Sequence, residues 1–125
     1  MNNAIKNFTD LDAWKESHKF VLGIYTLVKT FPKKEQFGLS SQIERAAVSI
    51  TSNIAEGFSR FFFKDKVRFY YMSRGSVSEV QNLLIIAKDL EYIKDRLATE
   101  LIEQSNRVSA LINGLISAIM KQTNK

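Results

Sequence analysis

The chain has no cysteine, a single proline, a single histidine and five glycines among 125 residues. Without thiols there are no disulfides, thiolate metal sites or cysteine nucleophiles. So little proline and glycine disfavours a turn-rich β fold. No segment approaches the roughly 18 uninterrupted apolar residues of a membrane helix; the longest compact apolar run is LLIIA at 83–87. The opening MNNAIKNFTD has no apolar core of the signal-peptide kind, and a soluble, cytoplasmic protein is expected. Catalytic patterns are equally scarce. Glu16 and His18 stand two apart, so the Glu-x-x-His pairs of di-iron bundles are missing, as are glycine-rich phosphate loops and nucleophile elbows. Glu56 and Glu79 could be imagined as paired carboxylates, but no motif beside them supplies an activated nucleophile. The expectation is a non-enzymatic protein with no metal and no cofactor.

What the sequence does contain is helical periodicity. With 45% apolar and 25% charged residues and a net charge of +5, the composition suits one soluble domain over 1–125 with a mild basic excess. The spacing predicts helices over about 10–31, 40–57, 64–92 and 95–121. The first carries two apolar stripes. One is Leu11, Trp14, His18, Val21, Leu22, Tyr25 and Val28; the other, nearly opposite, is Ala13, Phe20, Ile24, Leu27 and Phe31. His18 is expected in the core on the first of these, with Thr9 or Asp10 as the helix cap. A helix apolar on two sides needs two neighbours, within the chain or across a subunit boundary.

The second helix reads as starting at Ser40 or Ser41, with Ser41 and Glu44 spaced as a capping box, and stopping at Gly57. Its inner stripe is Ile43, Ala47, Ile50 and Ile54; opposite lies a seam of Arg45, Ser49, Ser52 and Glu56. In the third, Phe69, Met72, Ser76, Val80, Leu83, Ala87 and Leu90 alternate three- and four-residue steps, a coiled-coil-like phasing. The fourth turns Leu97, Leu101, Val108, Leu111, Leu115 and Ile119 inward, flanked by Ile102, Ile116 and Met120. Four long helices with short connections make an all-α, antiparallel up-and-down four-helix bundle the expected architecture.

Between the second and third helices lies SRFFFKDKVRFYYMSR, residues 59–74, with six aromatics and five cations around one acid. Helical phasing sends Phe69 and Met72 to the core and Tyr70 to a flank. Lys64, Arg68 and Tyr71 share an outward strip, Arg60 lies just upstream, and Lys66 and Arg74 project to its sides. Phe61, Phe62 and Phe63 are consecutive, so at least one ring is left exposed or against another subunit. Rings beside cations stack unpaired bases while tracking phosphates. Arg60, Lys64, Lys66, Arg68 and Arg74 are therefore the candidate nucleic-acid contacts.

The block FPKKEQFGLSSQIERAAVSITSNIAEGFSR, residues 31–60, followed by Gly75, Ser76 and Glu79, resembles the four-helix-bundle family of 23S rRNA intervening-sequence proteins. The likeness runs from about Phe8 through the fourth helix. It implies a bacterial bundle that assembles as a ring-like homopentamer and binds nucleic acid, RNA or DNA. The chain also resembles accessory subunits of diversity-generating retroelements, which implies a reverse transcriptase as partner and a scaffold role as the alternative to direct nucleic-acid binding. The family motif falls on Gln42, Arg45, Ser49, Asn53, Glu56 and Gly57, and on Ser76 and Glu79. A seam of this kind is expected to be structural, with paired charges and amide hydrogen bonds offsetting desolvation. Arg45 is expected to pair with Glu56 or Glu79, within or between subunits.

Overall fold

A computed structural model describes residues 4–123, and these fold into four helices with no strand. They are α1 (Asp12–Val28), α2 (Leu39–Ser59), α3 (Phe63–Asp89) and α4 (Asp95–Thr123). Short 3-10 turns, Phe8–Asp10 and Lys33–Glu35, precede α1 and α2. Each helix packs on its neighbours in sequence, and α1 also meets α4. Along α2 and α3 the contacts run Ser49 to Ser76, Ile50 to Ser73 and Phe58 to Lys66, so positions rise on one helix as they fall on the other. None of the helices among the described residues is long and apolar enough to cross a membrane.

The helix ends are made differently from the expectation. Thr9 and Asp10 do not cap α1. The Asp10 carboxylate turns back to accept the backbone N–H groups of Asn7 and Lys6, both at 2.9 Å, and these bonds hold it below the usual aspartate value. At α2, Ser40, Ser41 and Glu44 all lie inside the helix, which Gly38 precedes without a side-chain cap of its own. Its first N–H, on Leu39, is taken by Glu35 Oε1 at 3.2 Å, while Glu35 Oε2 accepts from the Tyr92 hydroxyl at 2.8 Å. These bonds hold the Glu35 carboxyl below its ordinary value. A carboxylate one turn upstream thus replaces a hydroxyl cap and also ties the start of α2 to the α3–α4 corner. At that corner the Glu91 N–H reaches Lys88 O and the Tyr92 N–H reaches Ala87 O, both at 2.9 Å. This is a left-handed helix stop, with Glu91 at φ 65° where glycine is the unstrained choice.

The core selects one of the two stripes of α1. Ala13, Phe20, Ile24, Leu27 and Phe31 are buried, together with Ser17 and Val21. Leu22 is 55% exposed and Tyr25 is exposed as well. His18 is not a core residue; it lies outside, its ring stacked on Trp14 at 4.6 Å and 12°. On α2, Ile43, Ala47, Ile50 and Ile54 are completely buried. On α4 the inward face is Ala98, Leu101, Ser105, Val108, Ile112 and Ile116, while Leu97 and Leu111 remain exposed. That face is rotated from the expected one.

On α3 the second half keeps the expected phase at Val80, Leu83 and Ala87, but the first half is shifted by one residue. Tyr70, Ser73 and Val77 are buried, while Met72 is 51% exposed and Phe69 only partly covered. The cause is on α2. Gly57 does not stop that helix; it lies within it and is buried against the Tyr70 ring. A Cβ there would sit 2.7 Å from Tyr70 Cε1. The missing side chain admits Tyr70, and the Ser73 hydroxyl then donates to Ile50 O at 2.7 Å, fixing the phase of α3.

Candidate nucleic-acid interface

Only residues 60–62 join α2 to α3, and they carry the candidate site. Two interactions hold the junction. Tyr70 fills the space at Gly57, and the Lys66 ammonium donates to Phe58 O at 2.7 Å and more weakly to Gly57 O at 3.4 Å. These are carbonyls of the last turn of α2, of which Gly57 O also accepts the Arg60 N–H at 3.3 Å, and a cation there interacts favourably with the negative end of the helix dipole. Burial holds the Lys66 ammonium below the usual lysine value, and Nζ lies 5.4 Å from the Phe58 ring centroid. Lys66, expected to contact phosphate, is instead committed to the fold.

The three phenylalanines leave the junction without entering the core. Phe61 is 84% exposed and Phe62 is 66% exposed, their rings meeting edge to face at 5.1 Å and 87°. Phe63, the first residue of α3, is also exposed.

Beside them stand three cations. Arg60 Nη2 reaches Glu56 Oε2 at 3.0 Å, an exposed pair one turn apart, and its guanidinium lies 4.6 Å from the Phe69 ring centroid. Arg68 lies 5.2 Å from the same centroid. Phe69, assigned to the core by its spacing, is therefore only partly covered and has two guanidinium groups near its ring. Lys64, one turn before Arg68, is exposed and makes no hydrogen bond or ion pair among the described residues. Arg74 belongs to a different contact. Its Nη1 donates to Asn113 Oδ1 on α4 at 2.9 Å and its guanidinium lies 4.8 Å from the exposed Tyr71 ring. Of the five candidates, Arg60 and Arg68 thus share the Phe69 ring and Lys64 lies exposed one turn before Arg68, close in the chain to the exposed Phe61 and Phe62, whereas Lys66 and Arg74 are engaged elsewhere. Arginines nine and one residues before Phe69 were the legible hint to this surface; the one-residue shift of α3 concealed it.

The polar seam joins α2 to α3 only in part. Asn53 Nδ2 donates to Ser49 O and Ser49 Oγ at 2.9 and 3.0 Å, Ser49 and Ser76 hydroxyls meet at 2.8 Å, and Ser76 donates to Met72 O at 3.1 Å. Since Ser76 has one proton and spends it on Met72, Ser49 is the donor in the central bond. The chain of bonds runs from Asn53 to the α3 backbone. Gln42, Arg45 and Glu79 take no part; all are exposed and their side chains make no hydrogen bond or ion pair among the described residues. The expected pairing of Arg45 with Glu56 or Glu79 does not form within the protomer: Arg45 and Glu56 lie on the one helix α2, about 16 Å apart along its axis, and Glu56 pairs with Arg60.

Residues 9–114 match the family model described as 23S rRNA-intervening sequence protein. The chain belongs to that family. A crystal structure of a protein of unknown function from the S23 ribosomal protein family of Bacteroides thetaiotaomicron VPI-5482 is similar in fold to this intervening-sequence family member. Its TM-score is 0.78 at 23% identity, over 84% of this chain and 95% of that one. No curated protein matches the chain. For this member of the 23S rRNA-intervening sequence family, the match takes in all of α1, α2 and α3 and most of α4. It therefore includes the junction and its cations.

Proposed function

We propose that this chain is a non-enzymatic, cytoplasmic nucleic-acid-binding protein that contacts RNA or DNA through Arg60, Lys64 and Arg68. In this reading its helices form an antiparallel up-and-down bundle, and its copies assemble as a ring-like homopentamer. The observation that carries the binding role is the junction surface, where exposed cations and solvent-facing rings lie together. The opposed numbering of the α2–α3 contacts supports the antiparallel bundle. Support for assembly comes from α3. Met72, Ile86 and Leu90 are exposed on a stripe that also contains Glu79, apolar side chains that a neighbouring copy would cover. Arg45 and Glu79, unpaired within the protomer, remain for a neighbouring copy.

A ring repeats each cation cluster, so individually weak phosphate contacts combine. Affinity for nucleic acid is expected to fall linearly with salt on a log–log scale. Lys64→Glu/Arg68→Glu should lower affinity for a mixed-sequence RNA by roughly tenfold or more and flatten that slope. Unchanged affinity in the charge-reversed protein, or between low and high salt, removes the proposal. Native mass spectrometry is expected to give five chains per particle; a mass of one chain at micromolar concentration overturns the ring.

The alternative is a scaffold that presents Phe61 and Phe62 to a protein such as a reverse transcriptase, and the exposure of those rings is what favours it. Under that reading charge reversal leaves partner capture intact, and truncation of the rings abolishes it.

A further inference from the structure

We infer that the α2–α3 junction selects single-stranded over duplex nucleic acid, with Phe61 and Phe62 as platforms for unpaired bases. This rests on the nucleic-acid reading above and narrows it to one substrate class. A phenylalanine ring has no hydrogen-bond donor or acceptor, so it cannot read base edges in a groove. Its use toward nucleic acid lies in its face, and base faces inside a duplex are covered by their neighbours. Rings that point into water beside cations therefore suit a strand whose bases are already unstacked.

The placement fits that use. Phe61 and Phe62 precede α3 and their planes are nearly perpendicular, which offers faces in two directions. Lys64 and Arg68 follow on α3 one turn apart, about 6 Å along the axis. That is the scale of the step between successive phosphates of an extended strand. The guanidiniums of Arg60 and Arg68 lie 4.6 and 5.2 Å from the Phe69 ring centroid, so a third ring and two more cations lie next to the phenylalanines. A binder of phosphate alone has no use for exposed rings, and an apolar protein partner has none for the unpaired Lys64. Lys66 and Tyr70 fix the end of α2 against the start of α3, so the short backbone segment that bears the platforms is anchored on both sides before any ligand arrives.

The test uses the full chain and fluorescence anisotropy at one salt concentration. The probes are a labelled 12-nucleotide oligouridylate, the matching oligothymidylate and a mixed-sequence duplex of the same length. Either single strand is expected to bind at least about tenfold more tightly than the duplex. Phe61→Ala/Phe62→Ala should lose that advantage, weakening single-strand binding about tenfold or more while duplex binding and the melting temperature stay unchanged. Lys64→Glu/Arg68→Glu should weaken both. If wild type binds duplex as tightly as either strand, or the double alanine variant keeps its single-strand affinity, stacking is rejected and the phosphate-binding function stands. If wild type binds none of the three probes, the nucleic-acid function itself is rejected.

Discussion

Phe20→Ala is expected to destabilise the chain by about 3–5 kcal/mol, the range for removing a large buried aromatic, and to lower the thermal midpoint by roughly 10–20 °C. Phe20 is completely buried and is the largest side chain so placed in α1. The space is not easily refilled, because Ile24, one turn along the same helix, is equally enclosed. The comparison that gives the result meaning is Leu22→Ala. Leu22 lies two residues away on the other stripe, largely in solvent, and its truncation is expected to cost within about 0.5 kcal/mol. Urea unfolding of both variants checks the assignment. Equal losses would mean that the stripe bearing Leu22 is covered, and the buried face described for α1 would be incomplete.

The second large effect belongs to Gly57. Replacing a helical glycine with alanine ordinarily stabilises by about 1 kcal/mol, and Gly114→Ala should do so, since nothing lies within 4 Å of the added Cβ on that exposed turn of α4. At Gly57 the sign reverses. The new Cβ meets Tyr70 Cε1 at 2.7 Å, Tyr70 Cδ1 at 2.9 Å and the Lys66 carbonyl oxygen at 3.2 Å. The tyrosine ring is buried and the carbonyl is backbone, so neither yields cheaply, and a net loss of about 1–3 kcal/mol is expected. In a Tyr70→Leu background the same alanine should cost clearly less, and the difference between the two backgrounds measures the contact. A stabilising Gly57→Ala in the unaltered chain would show that α2 and α3 do not approach as closely as described.

These two sites also show how far the fold can be read from residue order. The core stripe of α2 was legible because Ile43, Ala47, Ile50 and Ile54 face a polar opposite side, which leaves one possible orientation. For α1 the pattern offered two apolar stripes of similar strength. The choice between them depends on neighbours, and periodicity contains no information about neighbours. The first half of α3 was ambiguous in another way: Phe69, Met72 and Ser76 keep helical spacing, but so do Tyr70, Ser73 and Val77. What decides is a cavity on a different helix, and Gly57, the residue that makes it, has the local signature of a helix stop. The candidate site was legible as a composition of rings and cations between 59 and 74. Which cations are free was not, since Lys66 and Arg74 are engaged by Phe58 O and Asn113, partners supplied by tertiary structure.

The helix pair α2–α3 is fastened unlike at its two ends. At the junction the fastening is a ring pressed on a glycine and an ammonium on carbonyls, neither of which changes protonation in mild acid. At the far end it is the Glu35 carboxylate, gripping Leu39 N–H and the Tyr92 hydroxyl. A carboxyl held below its ordinary value contributes its full stabilisation above that value and loses it as pH falls through the lowered one. Acid therefore weakens the Glu35 tie, while the fastening beside Phe61 and Phe62 and the apolar packing of Ile43, Ala47, Val80 and Leu84 between the two ends are untouched.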